Sequence, residues 1–184
     1  MRIIIEGPDC SGKTTLAKAI YFKLASHKYV HSSLDNGTHC QRNVNGIITK
    51  KVDNLFYAHI DVLRLNNDIV VDRHWPSELI YGHIFRNSQF EYNISNMRKH
   101  ASIYKPIYIG CMPSYDAVAQ KFEERKETED FDSVERVYNM YAQLFFNDKK
   151  FIIYNYESQD LTKFITEVLN VGRNSTISAK QRQN

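Results

Sequence analysis

The sequence predicts an α/β fold, with a parallel five-stranded sheet flanked on both faces by helices. Three observations carry that reading. Short β-branched runs alternate with helical patterns along all but the end of the 184 residues. A glycine-bearing turn joins the first such run to the first helical pattern. A later run, Asp68–Asp72, is apolar inside and ends on a carboxylate, as a buried strand carrying a functional group at its tip would.

Taken in order, Arg2–Glu6 reads as the first strand and Lys13–His27 as the helix after it. Lys28–Ser33 is the second strand, followed by a loop rich in Asn, Gly and Ser as far as Gly46. Ile48–Asn66 reads as a helix with Leu55, Ala58, Val62 and Leu65 on one face. Asp68–Asp72 is the third strand, and Pro76 lies just inside the next helix, which runs through Phe85. Phe90–Ile103 is a further helix and Ile107–Cys111 the fourth strand. Ser114 caps a helix through Lys126, and Phe131–Asn147 is a long amphipathic helix with Val134, Val137, Tyr138, Tyr141, Leu144 and Phe145 along its apolar stripe. Phe151–Asn155 is the last strand and Leu161–Leu169 the last helix. Residues 1–171 thus form one domain, and 172–184 a polar tail expected to be disordered.

Composition narrows the function classes. With 42% hydrophobic and 24% charged residues the chain has an ordinary globular balance. A net charge of +3 is too mild to imply nucleic-acid binding and suits small anionic substrates. Cys10, Cys40 and Cys111 are odd in number and scattered, which favours a reduced, cytoplasmic setting over a disulfide framework. The apolar start Ile3-Ile4-Ile5 stops at Glu6, too short for a signal peptide, and no run reaches membrane-spanning length.

Gly7-Pro8-Asp9-Cys10-Ser11-Gly12-Lys13-Thr14 matches G-x-x-x-x-G-K-[ST] in full, after a strand and opening a helix. Such a P-loop turns successive backbone N–H groups of residues 9 to 15 toward phosphates, aided by the helix dipole. Lys13 would reach the β- and γ-phosphates, the Thr14 hydroxyl would bind Mg²⁺, and Thr15 would donate to the α-phosphate. ATP and magnesium are the cofactors this implies. At the tip of its strand Asp72 would face the same crevice, where it could hold Mg²⁺ or draw a proton from the acceptor. Arg73 could clamp an acceptor phosphate. An ordinary Asp–Arg turn pair is the other reading.

With these residues in view, the chain resembles the thymidylate kinases. Glu6-Gly7-Pro8-Asp9-Cys10-Ser11-Gly12-Lys13-Thr14-Thr15 is similar to their P-loop, with an acidic residue inside the loop. Asp72-Arg73-His74-x-x-Ser77 is similar to their Asp-Arg-[Tyr/His]-x-x-Ser motif; Tyr81 falls on a family aromatic, and Leu55-Phe56-Tyr57-Ala58 resembles their base-stacking helix. The resemblance spans roughly residues 1 to 155. It implies that Asp9 holds the sugar 3′-hydroxyl and sets geometry, that Arg73 binds the acceptor phosphate, and that Ser77 belongs to the acceptor site. It also implies that Phe56 stacks on the base and Tyr81 crowds the 2′ carbon. Spacing alone would make Phe56 a core aromatic.

The charged stretch from Lys121 to Asp130 falls where that family places an arginine-bearing lid. Cys10 stands where some members carry a catalytic P-loop arginine, which shifts the task to Arg125, with Lys126 the alternative. A solvated charged turn is the other reading. Three departures weaken the thymine assignment. Ile60 replaces an arginine that reads the base, the Arg-Glu-Pro-Gly-Gly stretch after the second strand is missing around Arg42, and Glu78 follows Ser77. An ionised Glu78 can only accept, so it would meet an N–H, an amine or a hydroxyl on the base. Equally, a Glu in a first helical turn is favoured by the dipole.

The expected activity is therefore transfer of the γ-phosphoryl group of ATP to a deoxynucleoside monophosphate, dTMP or a related or modified pyrimidine. Lys13, Asp72, Asp9 and Arg125 would be the catalytic residues. One alternative is a P-loop kinase acting on a hydroxyl of a nucleoside or of a modified base in DNA; another is a non-catalytic nucleotide-binding module. DNA is a partner only under the first of these, no membrane is expected, and the resemblance suggests a homodimer. A compact relative of this kind fits a bacteriophage gene, acting in the host cytoplasm.

Overall fold

The computed structural model describes residues 1–35, 38–52, 55–86, 91–125 and 131–180, with the side chains of 34–35, 52, 55–57, 86, 91–94, 131 and 173–180 outside the description. Among the described residues, seven strands and seven helices follow one another as β1 (Arg2–Glu6), α1 (Lys13–Lys23), β2 (Lys28–Asp35), β3 (Thr38–Arg42), β4 (Ile48–Val52), α2 (Leu55–Arg64), β5 (Ile69–Asp72), α3 (Trp75–Arg86), α4 (Glu91–Ile103), β6 (Ile107–Cys111), α5 (Tyr115–Arg125), α6 (Phe131–Asn147), β7 (Phe151–Tyr154) and α7 (Leu161–Lys180). All seven strands join one sheet in the order β4-β3-β2-β5-β1-β6-β7.

The five central and right-hand strands, β2-β5-β1-β6-β7, are parallel, as expected. The sheet is nonetheless larger than five strands, because β3 and β4 extend it as an antiparallel hairpin. The stretch read as loop supplies β3, and the first residues of the helix read at Ile48 supply β4. Ile48, Thr49 and Val52 are β-branched and stiff at χ1, so they favour the pleated surface. Asn43 ties the turn between the two strands, its side-chain oxygen accepting from the N–H groups of Asn45 and Ile47 at 3.0 Å each. At the other end of the chain, α7 continues past Leu169, where the last helix was expected to end, to Lys180. No proline interrupts 172–180, so a helix already nucleated on a packed face can propagate.

Strand periodicity sorts the core into two layers. Ile4, Val71 and Tyr108 point to a face covered by α2, α3, α4 and α6 through Val62, Leu63, Trp75, Ile80, Met97 and Tyr141. Ile3, Ile5, Val70 and Ile109 point to the opposite face, against α1 and α7. A smaller cluster of Cys10, Val118, Phe122 and Val134 joins α5 and α6 to the turn after β1. The chain runs to one side of β1 for β2 and β5, then to the other for β6 and β7. The turn after β1 therefore sits where the strand order reverses, at the carboxyl ends of the strands.

Candidate active site

The turn after β1 has a phosphate-cradling backbone. Cys10 and Gly12 adopt left-handed conformations with φ of 62° and 85°, and Gly12 N-caps α1. A side chain at Gly12 would be strained at that φ and would also meet the Tyr156 ring at 3.2 Å. Lys13 is buried and folds back over the loop, its ammonium donating to the Pro8 carbonyl at 2.6 Å and lying 3.6 Å from Asp9 Oδ1. Burial and the nearby Arg73 lower its pKa. Ser11 Oγ is buried with no hydrogen-bond partner among the described residues, a donor suited to a phosphate oxygen.

Asp72 ends β5 fully buried. Its Oδ2 accepts from Thr14 Oγ1 at 2.7 Å and Tyr29 OH at 3.1 Å, and lies 2.9 Å from His31 Nδ1. Burial alone would raise the carboxyl, but the hydrogen bond and charge of His31, with Lys13 and Thr14, hold it at about 2. Asp72 Oδ1 is buried and without a partner among the described residues. An ionised carboxylate with an open oxygen beside a threonine hydroxyl is an oxygen donor set that fits a hard cation such as Mg²⁺.

Next to the loop, Arg73 takes a left-handed φ of 75° and turns its guanidinium onto Asp9 Oδ1, 5.1 Å above the Tyr81 ring. Tyr81 OH donates to Asp9 Oδ2 at 2.8 Å and accepts from the Asp9 N–H at 3.1 Å. Burial opposes ionisation of Asp9, but Arg73 and Lys13 overcome it and drive its carboxyl well below the ordinary range. The sequence motif thus brings Asp9, Lys13, Thr14, Asp72, Arg73 and Tyr81 together.

Other expected site residues fall differently. Ser77 Oγ donates to Glu6 Oε2 at 2.8 Å and lies 2.9 Å from Tyr141 OH, so its hydroxyl serves a buried frame rather than the crevice. The first turn of α3 packs down on Glu6, which also accepts from the His74 N–H. Glu78 Oε1 lies 3.7 Å from His39 Nδ1 and 3.9 Å from His59 Nε2. Thr15 is exposed at the start of α1, and Ile60 is core. Arg125 is the last residue of α5 and exposed. The Phe56 side chain and Lys126 lie outside the described residues. Arg42 donates to Ser33 Oγ on the neighbouring β2 at 3.2 Å and to the Gly46 carbonyl in the turn of its own hairpin at 2.8 Å.

Sequence reading gave no site role to His31, Tyr29, Glu6, Tyr141, His39 and His59. One signal was present, because a histidine on β2 in register with the carboxylate of β5 would face it, as His31 does Asp72. The others depend on contacts between elements distant in sequence.

No protein-family model matches the sequence, and no curated protein does. Solved structures share the fold. The Bacillus subtilis YorR protein, in complex with phosphorylated GDP, matches at a TM-score of 0.71 and 16% identity, over 96% of this chain and 98% of that one. Candida albicans thymidylate kinase matches at 0.57 and 15%, over 96% and 92%. Deoxyadenosine kinase from M. mycoides, with dCMP and a flexible dCDP bound, matches at 0.54 and 16%, over 95% and 99%. At these identities the likeness is one of fold, a mixed α/β sheet flanked by helices, along nearly the whole chain.

Proposed function

We propose that the chain is an ATP- and magnesium-dependent kinase that phosphorylates a pyrimidine deoxynucleoside monophosphate. The observation that carries this reading is the Asp9–Arg73–Tyr81 assembly beside Lys13. A guanidinium fixed by one carboxylate keeps further N–H donors for an acceptor phosphate, and the phenol beside it limits room at the sugar. Lys13 and the loop N–H groups would hold the donor phosphates, while Thr14 and Asp72 hold the metal. Magnesium, when bound, supplies charge neutralisation on the transferring group. Arg73 would align the attacking phosphate oxygen, which is anionic at neutral pH and needs no base. Arg125 would be the lid cation, as the resemblance implies. The solved relatives named above support the reading because they bind or act on nucleotides.

The test is ADP release against a panel of deoxynucleoside monophosphates, nucleosides and DNA, with and without Mg²⁺. Turnover is expected on a pyrimidine monophosphate, none without Mg²⁺, and a loss of at least about 10³-fold in Lys13→Ala. Turnover confined to nucleosides or DNA would sink the monophosphate acceptor.

A second reading, transfer to a hydroxyl, draws on one observation. His31 lies 2.9 Å from Asp72 and is partly exposed. With Nδ1–H donating to the carboxylate, Nε2 could take a proton from an attacking hydroxyl.

A further inference from the structure

We propose that Glu78, His39 and His59 together read the edge of the acceptor base and select an imide, an N–H between two carbonyls as in uracil and thymine. The proposal rests on the reading above for where the acceptor lies.

Three elements bring the group together: β3 carries His39, α2 carries His59 and α3 carries Glu78. Glu78 precedes Tyr81 by three residues and shares its face of α3. Tyr81 in turn bonds Asp9, so Glu78 stands on the same helix face as the residue that abuts the proposed sugar site. Two imidazole nitrogens lie 3.7 and 3.9 Å from one carboxylate oxygen. At those separations the three polar atoms lie side by side, so that the edge of one planar base could meet all of them at once. Glu78 and His39 are largely enclosed, with side-chain exposures of 12% and 23%, and His59 is buried at 3%. Enclosure strengthens any hydrogen bond made there and penalises a mismatch.

The chemistry of the three side chains sets the pattern. An ionised carboxylate only accepts, whereas each imidazole can donate one N–H. An acceptor accompanied by two donors complements an N–H accompanied by two carbonyls, which is the edge of uracil and thymine. Cytosine and adenine set a ring nitrogen lone pair against Glu78, a repulsion that rejects them. Guanine offers the N–H but replaces one carbonyl with an amine. The hairpin β3–β4 thus contributes to base choice through His39, in a chain where Ile60 cannot.

The experiment is titration calorimetry of dTMP, dCMP and N3-methyl-dTMP against the intact protein and Glu78→Gln. The wild type should bind dTMP about tenfold or more tighter than the other two, the scale of one hydrogen bond to a charged group. Glu78→Gln, whose amide both donates and accepts, should bring the dTMP-to-dCMP ratio within about threefold. An unchanged ratio in Glu78→Gln with dTMP still bound would overturn the proposal. So would dCMP binding as well as dTMP in the wild type. Should the variant not melt cooperatively, the wild type decides alone: equal affinity for dTMP and its N3-methyl derivative overturns the proposal. ADP release is read separately. The expected ratios without turnover would sink the kinase reading and leave base selection standing. Turnover without base preference would do the reverse.

Discussion

Arg73 concentrates the residue-scale argument. A non-glycine residue at φ 75° costs on the order of 1 kcal/mol, and the site retains it because the turn after Asp72 aims the guanidinium at Asp9 and Tyr81. Arg73→Ala should raise KM for the monophosphate and lower kcat, by about 10²-fold or more in kcat/KM. Steady-state kinetics with varied acceptor checks it, and an unaltered rate would remove Arg73 from the site. Arg73→Lys should rescue little, since an ammonium lacks the planar fork. Asp9, Lys13, Thr14, Asp72 and Arg73 were legible in the sequence because each lies within a few residues of a strand tip, where local spacing determines position. The Ser77 hydrogen bond was not legible, because its motif position is local but its partner, Glu6, is 71 residues away. His39 and Glu78 meet only through the hairpin, and no spacing within the chain announces that.

Among elements, the parallel strands were readable because burial on both faces demands continuous apolar runs, as in Ile3-Ile4-Ile5 and Ile69-Val70-Val71. The hairpin was not, since β4 is largely exposed and its sequence lacks that demand. Without a buried face, Ile48–Val52 merges with the helical pattern that follows it. Helix α5 shows how an element can link site and cover. Val118 and Phe122 pack on Cys10 inside the loop, while Arg125 ends the same helix at the surface. Arg125→Ala should lower kcat with little change in KM for either nucleotide, measured by single-turnover and steady-state assays together. A pure KM effect would argue against a transition-state role.

At the scale of the whole molecule, Glu6 binds three parts of the fold to one another. From the end of β1 it accepts from the α3 N-terminus through His74 and Ser77, and from Tyr141 of α6 at 3.0 Å. Burial raises its carboxyl from 4.5 to about 7, against the opposing pull of these donors and of Arg73. The folded protein therefore keeps a proton on Glu6 that the unfolded chain releases near 4.5. That contribution to stability is complete below pH 4.5 and is lost as pH rises through 7. Thermal melts from pH 5 to 8 should show a decline that Glu6→Gln flattens; parallel curves for the two proteins would remove Glu6 as its source.

Cys10, held beneath α5 in the phosphate loop, makes the protein its own stopwatch. It is 5% exposed, and Cys40 and Cys111 are buried as deeply, so a thiol reagent finds no easy target in the folded chain. Labelling at Cys10 must wait for α5 to lift from the loop. Its rate, followed by mass spectrometry, should count those excursions directly and slow when ATP fills the loop.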